Sequence, residues 1–449
     1  MSRRELKDLV VLLGQSCGDN VLTHAMQQVS NNSNWVPGTK TVSTADTDMN
    51  DSKRSVKIDS MNPKKKRKVK GEFDMSYFSQ RHVCLHVAYF GDKYHGFALG
   101  DSSAETVETH LFSALSRARL ITDAKSANYS RCGRTDAGVS AFSQVVSITL
   151  RSNLAKSLPA ASCIPASKFR ESSCSGNDDD MEINYPAVLN KILPDDIFVL
   201  GWCPAPSLEF KSRFNAESRT YQYYFMPRKL DIDKMKVAAS YLVGTHDFRN
   251  FCRMDVTNVN HFTRRIHKII IEPRENDLFV FKITGNAFLW NQIRYIVEIL
   301  FLVGRGHEEP SIVQTLLDVA KVPRKPVYDK ASEVPLILFA SEYCKHDVQF
   351  KYDDKTLNNL RDRLSLRHSR FAVRAGMTQS VIDEIDSLAK GSLTKVEYDF
   401  VSRKSSSRKH IPLGNRDTCD SYEEKIAGLS SKKKHLVRER HGWDYSHIT

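Results

Sequence analysis

The stretch Tyr129–Phe142, YSRCGRTDAGVSAF, places two arginines, one carboxylate and two glycines in a short loop ahead of a strand. Its charged side chains are Arg131, Arg134 and Asp136, and Gln144–Leu150 (QVVSITL) follows with the composition of a strand. The two glycines allow a tight turn and the close approach of another backbone. Such a loop suits a site in which the carboxylate stays ionised and contacts a polyanionic substrate. The simpler interpretation is a hairpin turn with solvated charges.

The composition bounds the class of protein. A chain of 449 residues is too long for one ordinary domain, and a hydrophobic content of 41% predicts that most of it folds. A net charge of +13 and a pI near 9.2 favour a polyanionic partner, RNA or DNA. We expect no membrane span and no secretory signal, since no long apolar run is present. Nine cysteines without a CxxC pair favour reduced thiols in an intracellular compartment over a disulfide framework or a zinc ribbon.

Residues 1–80 predict a basic extension without a core. Ser30–Asp59 is rich in Ser, Thr, Asn and Asp, which is typical of a disordered linker. Lys53–Lys70 then holds nine basic residues and one acid, and its centre, Pro63–Val69 (PKKKRKV), resembles a lysine-rich nuclear import signal. We therefore expect a nuclear protein, with the cytoplasm as a second compartment, and an import receptor that binds residues 63–69. The simpler interpretation is a solvated tail that holds nucleic acid without specificity.

Folded structure is predicted to begin near Arg81. Four apolar residues then alternate with polar ones and indicate a half-buried strand: Val83, Leu85, Val87 and Tyr89. Thr106 can cap a helix whose apolar face runs through residues 107–118. This order of strand, helix, loop and strand places the Asp136 loop at the edge of a sheet, backed by the helix.

Two further segments carry candidate functional residues. Phe214–Phe225 (FNAESRTYQYYF) predicts a strand with Tyr221 and Tyr223 on one face, for which a plain aromatic core is the simpler interpretation. Gly285–Leu300 (GNAFLWNQIRYIVEIL) contains a predicted helix that continues to residue 303. Arg294 lies in this apolar helix and needs either an acid partner or an exposed position at the helix edge.

The region between those segments predicts a helix at Asp231–Val243 and a hairpin from His267–Glu272 and Leu278–Thr284. Thr245–Asp255 (THDFRNFCRMD) lies between them. Three of its side chains could contact phosphates, or the first could close a helix–loop junction: His246, Arg249 and Arg253.

Two regions depart from this pattern. Leu158–Asn184, with the acidic run Asp178–Asp180, predicts a surface insertion without a core role. Lys355–Leu388 predicts helical stretches. Val401–Thr449 holds eleven Lys or Arg against six acids, and predicts a poorly ordered basic tail that adds RNA affinity.

Several of these segments together resemble one enzyme family. GRTDAGVSA, at residues 133–141, closely resembles the signature of the TruA-type pseudouridine synthases. The longer form RCGRTDAGVSA and the segment THDFRNFCRMD resemble the eukaryotic branch that modifies tRNA positions 38 and 39. Tyr89–Phe97 (YFGDKYHGF) and Lys330–Tyr343 (KASEVPLILFASEY) resemble further family segments. The chain departs from the family at Ala137, often a charged residue there, and at Gln292-Ile293, usually Met-Val.

The resemblance implies that the protein isomerises uridine to pseudouridine in the anticodon stem-loop of tRNA. Asp136 would be the catalytic residue, either by attack on C1′ or by removal of a ribose proton to give a glycal. An Arg294–Asp136 pair would keep the acid ionised. Tyr221 would stack on the flipped uracil, with Tyr223 as the second choice. The remaining substrate-binding candidates are Arg134 and Leu289.

The resemblance also implies a mixed α/β (α+β) fold, in which two related subdomains share a mainly antiparallel sheet flanked by helices, and a homodimer. We expect four regions: an extension at 1–80, a first subdomain at 81–213 that carries loop 129–142 and insertion 158–184, a second subdomain at 214–345, and a basic extension at 346–449. The reaction leaves the oxidation state unchanged, so neither a cofactor nor a metal is implied. The alternatives are a synthase of the same fold acting on other tRNA positions or small nuclear RNA, and an RNA-binding protein without catalysis.

Overall fold

A ten-stranded sheet organises the part of the chain that the structure describes. The computed structural model describes residues 73–100, 105–154, 163–164, 181–345, 347–389 and 410–443. The strands are β1 (Ser79–Tyr89), β2 (Ser130–Arg131), β3 (Ser140–Ser152), β4 (Cys163–Ile164), β5 (Ile197–Pro204), β6 (Ser218–Phe225), β7 (Gly244–Asp247), β8 (Thr263–Pro273), β9 (Phe279–Gly285) and β10 (Leu336–Glu342). The helices are α1 (Val107–Arg117), α2 (Tyr185–Leu189), α3 (Ile232–Ser240), α4 (Gln292–Gly304), α5 (Ile312–Leu317), α6 (Asp354–Leu388), α7 (Tyr422–Ala427) and α8 (Ser431–His441).

The sheet is mixed but mainly antiparallel, as predicted. Its order is β4-β1-β3-β10-β6-β9-β8-β7, with β2 added beside β3 and β5 beside β1. The strands before residue 214 and those after it meet at one short parallel pairing, where Ser140 and Ala141 of β3 lie opposite Ile337 and Leu338 of β10. All other strand pairs in the sheet are antiparallel. The Asp136 loop immediately precedes β3 and therefore lies at this junction.

Strand β1 is buried on both faces, so the prediction of a half-buried strand was wrong. Val83, Leu85 and Val87 pack in a core with α1 and α2. The opposite face, which includes Cys84, is covered by residues such as Phe210. Alternation was misleading here because two polar residues on that face, His82 and His86, are themselves buried.

The predicted helices form, with adjusted ends. Thr106 caps α1 by accepting a hydrogen bond from the backbone N–H of Thr109 at 3.3 Å. In the segment Gly285–Leu300 the helix α4 begins only at Gln292, because Asn291 adopts a left-handed conformation with φ of 59°. The residues ahead of Asn291 therefore form a loop, which leads into the functional site.

The end of the acidic insertion has a core role that we did not expect. Glu182 is buried, accepts a hydrogen bond from Ser152 Oγ at 2.6 Å and lies 3.6 Å from the Arg81 guanidinium. Asn153 also donates its backbone N–H to Glu182 at 2.9 Å. The expectation of a coreless insertion was wrong for this end, and residues 165–180 lie outside the described residues.

The C-terminal region also differs from the predicted poorly ordered tail. Residues 410–443 pack against the rest of the protein, with Ile426 of α7 and Val437 of α8 clustered on Val256. The backbone is tied as well, since Val327 donates to the Asp417 carbonyl at 2.8 Å. Sequence composition hid this element because only a few apolar side chains anchor it among many charges.

The import-like tract at residues 63–69 lies outside the described residues, as does all of 1–72. No helix in the described ranges is both long and apolar enough to cross a membrane. Within the same ranges, no group of three or more His, Cys, Asp or Glu side chains could hold a metal ion.

Candidate active site

The loop that carries Asp136 is fixed by the segment that follows β1. Phe97 donates its backbone N–H to the Thr135 carbonyl at 3.2 Å, and Gly138 donates to the Tyr94 carbonyl at 3.1 Å. The Tyr89 hydroxyl contacts Thr135 Oγ1 at 2.7 Å. Gly96 has φ of 100°, and a Cβ there would lie 2.9 Å from the Thr135 carbonyl oxygen. The glycine is therefore required both by its conformation and by the close approach of the two backbones.

Both carboxylate oxygens of Asp136 accept hydrogen bonds from the loop ahead of α4. Trp290 donates its indole Nε1–H to Oδ1 at 3.0 Å, and Asn291 donates its amide to Oδ2 at 2.7 Å. Asn291 in turn accepts a hydrogen bond from the Lys330 ammonium at 2.5 Å. Asp136 comes from the first half of the sheet and its donors from the second. The site is thus assembled across the junction of β3 and β10.

Burial and charge act in opposite directions on this carboxyl. Desolvation raises the pKa of Asp136 above its ordinary value, while the charges of Arg294 and Lys330, and the hydrogen bond from Trp290, lower it. The net shift is upward. The carboxyl is thus poorly hydrated, while the nearby positive charges and donors favour its ionised form, which is the condition expected of a reactive carboxylate.

The predicted direct pair between Arg294 and Asp136 was wrong. Among the described residues, Arg294 forms its ion pair with Glu333, at 2.7 Å, and donates Nε–H to the Ala331 carbonyl at 2.6 Å. Arg294 is buried, so it has an acid partner as expected, but the acid is a different one. The positive charge of Arg294 nevertheless acts on Asp136 without a direct contact. It lowers the pKa of the carboxyl, and the carboxylate in turn raises the pKa of the arginine.

Tyr221 and Tyr223 lie in different surroundings, although both belong to β6. Tyr221 sits on β6 between the two main cores and meets Phe288 edge-on, with ring centroids 5.3 Å apart. Burial is the main cause that raises the pKa of Tyr221, and the Asp136 carboxylate adds to it, which places the two groups near each other. Tyr223 is buried in the core against Phe281 and Phe301. The second-choice residue is therefore wrong.

The other two substrate-binding candidates lie at the margins of the site. Leu289 is buried in the core beside α4, and its backbone N–H donates to the Gln292 side chain at 2.8 Å. Arg134 is exposed, and its charge acts on Arg213. Arg134 thus faces solvent on the loop, whereas Leu289 is a core residue next to Trp290 in the chain.

Arg219 holds three chain segments together around the site. Its guanidinium donates to the carbonyls of Asn286 and Arg213, both at 2.6 Å, and to that of Cys132 at 3.1 Å. These carbonyls belong to the loop ahead of α4, the segment before β6 and the start of the catalytic loop. Arg219 therefore holds in place the segments around Tyr221, which follows it by two residues.

The segment Thr245–Asp255 divides into structural and site-facing residues. Arg249 forms an ion pair with Asp247 at 2.7 Å, and His246 bonds to the Val243 carbonyl at 3.0 Å, so both close the junction. Arg253 is exposed, and its guanidinium lies 4.2 Å from the centre of the Trp290 ring. Only Arg253 of the three phosphate-contact candidates therefore reaches the surroundings of Asp136.

Sequence reasoning missed four residues of this site: Trp290, Asn291, Lys330 and Glu333. All four fall inside segments already singled out, so the available signal was their position next to family-like patterns. The sequence does not predict their partners, because Lys330 and Glu333 follow Arg294 by 36 and 39 residues. The tertiary fold brings them to the site.

Comparison with known proteins identifies the family of the chain. A sequence model of the family described as tRNA pseudouridine synthase matches residues 238–344. The chain is 37% identical to the tRNA pseudouridine(38/39) synthase of Bos taurus over 401 residues, which is 83% of this chain and 80% of that relative. The proteins of the same description from Mus musculus and Saccharomyces cerevisiae are 39% identical over 398 residues and 38% identical over 302 residues. These matches cover 81% and 66% of this chain, and 80% and 65% of those relatives. The chain belongs to the tRNA pseudouridine synthase family.

Proposed function

We propose that this protein isomerises uridine to pseudouridine at positions 38 and 39 of tRNA. The observation that carries the proposal is the half-buried Asp136 carboxylate, held by Trp290 and Asn291 near Tyr221. The names of the mammalian and yeast relatives support the tRNA substrate and the two positions. The alternatives are a same-fold synthase for other tRNA positions or small nuclear RNA, and an RNA binder without catalysis.

The reaction exchanges one bond to ribose C1′ for another. The bond from N1 of uracil to C1′ breaks, the ring turns, and C5 bonds to C1′. The proton on C5 is lost and N1 gains one, so atoms and electrons balance without an oxidant. Asp136 acts on the ribose either by attack on C1′ or by removal of a ribose proton. The charges of Arg294 and Lys330, which act on the same carboxylate, also favour uracil leaving as an anion.

Exposed basic and aromatic side chains around the site support a nucleic-acid substrate. Arg253 stacks on Trp290, which is 43% exposed. On the catalytic-loop side, Arg213 lies 5.4 Å from the ring centre of Phe214, which is 78% exposed. Arginine on an exposed aromatic ring suits contact with both bases and phosphates. Tyr221 then offers the flat face on which a flipped base rests.

The C-terminal helix α8 extends this surface. Five of its residues are Lys or Arg, and four of these five are exposed: Lys432, Lys433, Arg438 and Arg440. Val437 anchors α8 on Val256, which follows Arg253 by three residues. Since three residues span at most about 10 Å, the helix lies close to the site. We assign to α8 the phosphate contacts that the basic C-terminal region was expected to supply.

The homodimer remains a proposal, and helix α6 supports it. This helix is 35 residues long, and its C-terminal half exposes an apolar series: Met377, Val381, Ile382, Ile385 and Leu388. Such a face on a helix is typical of an interface between two copies. Light scattering on the purified chain should give about twice 51.1 kDa, and Val381→Glu with Ile385→Glu should halve it. A monomeric wild type would end this proposal.

Nuclear location is a further proposal, supported by the composition of residues 63–69 alone. A reporter fused to residues 1–80 should enter the nucleus through an import receptor. Replacing Lys64, Lys65 and Lys66 by alanine should leave it in the cytoplasm. An unchanged distribution would remove the tract as the signal.

The proposed function is tested by mapping products on tRNA that carries no modification. The protein should introduce pseudouridine at position 38, position 39 or both. Product at other positions, or in small nuclear RNA alone, would support the same-fold alternative. Tight RNA binding without any product would support the non-catalytic binder.

A further inference from the structure

A chain of two hydrogen bonds joins Lys330 to the candidate catalytic carboxylate. The Lys330 ammonium lies 2.5 Å from Asn291 Oδ1, and Asn291 Nδ2 lies 2.7 Å from Asp136 Oδ2. Lys330 is half-buried, and Asn291 is 6% exposed. The chain therefore runs through the interior of the site rather than across a solvated surface.

The chemistry of the two partners sets the orientation of the Asn291 amide. An asparagine side chain can present either its oxygen or its NH2 group, whereas an ammonium can only donate. Lys330 therefore takes the amide oxygen, and the NH2 group is left to face Asp136. The reverse orientation would place the amide oxygen against the carboxylate, where both groups are acceptors. Among the described residues, Lys330 is thus the group that selects the productive orientation of the amide.

The surrounding backbone holds this arrangement in place. Asn291 adopts a left-handed conformation with φ of 59°, a region in which asparagine is favoured over most other residues. Ala331, next to Lys330, is buried and accepts a hydrogen bond from Arg294 Nε at 2.6 Å. Tyr328, two residues earlier, donates its hydroxyl to the Asn250 carbonyl at 2.7 Å. Lys330 is thus presented by a fixed segment, unlike a surface lysine on a mobile loop.

We propose that Lys330 is a positioning residue that acts through the Asn291 amide to orient the Asp136 carboxylate and to keep it ionised. The inference rests on the proposed isomerisation and gives a role to a residue at the start of the family-like segment Lys330–Tyr343 that was not among the candidate site residues. The titratable and charged groups that face Asp136 come from four elements: Arg294 on α4, Arg253 after β7, Tyr221 on β6 and Lys330 before β10. Glu333 acts on two of them, Arg294 and Lys330.

The sign of the pH effect follows from these charges. The positive charge of Lys330 lowers the pKa of Asp136, although burial keeps the net shift upward. Removing that charge raises the pKa further. The acidic limb of the rate profile, where Asp136 becomes protonated, should therefore move to higher pH. Desolvation in turn lowers the pKa of Lys330 itself.

The test compares Lys330→Met with Lys330→Arg and Asn291→Ala on full-length protein and unmodified tRNA. Lys330→Met keeps the length of the side chain and loses the donor, whereas Lys330→Arg keeps a donor. We expect Lys330→Met to lower kcat by about tenfold to a hundredfold, with KM changed by less than about threefold and the acidic limb shifted upward. Lys330→Arg should restore at least about a third of the rate. In the Asn291→Ala background, Lys330→Met should cost less than about threefold, because the route through the amide is already lost.

Three results would overturn the inference while leaving the proposed function intact. They are a wild-type kcat in Lys330→Met, a fall in kcat without a shift of the acidic limb, and an undiminished effect in the Asn291→Ala background. Melting temperatures of all variants separate a misfolded protein from a mispositioned carboxylate, and Lys330→Arg retains the test if Lys330→Met is unstable. A wild-type protein that makes no pseudouridine would instead remove the proposed function itself.

Discussion

Arg294 and Glu333 form an ion pair of 2.7 Å directly behind the catalytic loop. The Glu333 side chain also packs on that loop, since a Cβ at Gly138 would lie 2.6 Å from Glu333 Cγ. The pair therefore joins α4 to the loop and supplies the positive charge that acts on Asp136. Breaking the pair should therefore reduce both the activity and the stability of the protein.

Removing the arginine of this pair should lower the free energy of unfolding by more than removing an arginine from an ion pair at the surface. Arg294 is 7% exposed in the pair, and loss of one partner of a buried pair typically costs about 3–5 kcal/mol. Because Glu333 retains 21% exposure, we expect Arg294→Met to lower the free energy of unfolding by about 3 kcal/mol.

The matched control is Arg274→Met, at an exposed pair with Glu272 of 3.0 Å. Exposed pairs contribute about 1 kcal/mol or less. Urea unfolding of both variants measures the difference. Equal losses would show that the Arg294–Glu333 pair does not hold α4 to the loop.

Gly96→Ala should displace the catalytic loop, whereas Gly133→Ala should not. Gly96 has φ of 100° and lies against the Thr135 carbonyl, while a Cβ at Gly133 meets nothing within 4 Å. We expect Gly96→Ala to lower the free energy of unfolding by about 1–2 kcal/mol from the left-handed conformation alone. Contact with the loop backbone should add to that loss and reduce kcat.

Unfolding curves and single-turnover rates for the two alanine variants check this prediction. Gly133→Ala should unfold within about 0.5 kcal/mol of the wild type, as for a substitution into open space. If Gly96→Ala kept both wild-type stability and wild-type rate, the packing of the segment after β1 on the loop would not position Asp136.

Reversing the charge of helix α8 should weaken tRNA binding and spare the chemical step. The triple variant Lys432→Glu, Lys433→Glu and Lys434→Glu reverses three of the five basic side chains of the helix and leaves the anchor Val437 in place. Each lost phosphate contact should reduce the slope of log K against log salt concentration by about 0.9. Filter binding at several salt concentrations measures that slope, and kcat at saturating tRNA should stay within about twofold. An unchanged slope would remove α8 from the binding surface.

The sequence predicted much of the fold because the strands and helices carry local signals. Thr106 signalled the start of α1, and the spacing of apolar residues in 267–284 signalled the hairpin of β8 and β9. Burial on both faces of β1 could not be predicted, because the covering side chain Phe210 lies more than 120 residues away from His82, to which its carbonyl bonds at 3.0 Å. Local sequence patterns indicate which face of a strand or helix is apolar, but not which distant segments pack on its other face.

The sequence indicated single candidate residues for the site but not how they pair. Asp136 and Tyr221 were candidates from the motifs, and in the structure the Asp136 carboxylate acts on the pKa of Tyr221. The sequence did not predict the partner of Arg294, because the ion pair depends on the tertiary arrangement that brings Glu333 beside α4. The C-terminal element 410–443 was missed for a related reason, since a few contacts such as Ile426 on Val256 hold a segment whose composition is mostly polar.

The most direct test of the central claim is the fate of the C5 hydrogen in tRNA labelled with tritium at C5 of uridine. Formation of pseudouridine breaks the C5–H bond, so wild-type protein should release tritium into water in proportion to the uridines at positions 38 and 39. Asp136→Ala should bind the same tRNA within about threefold and release none above background, because the acting carboxylate is gone. Release by Asp136→Ala at the wild-type rate would contradict the account.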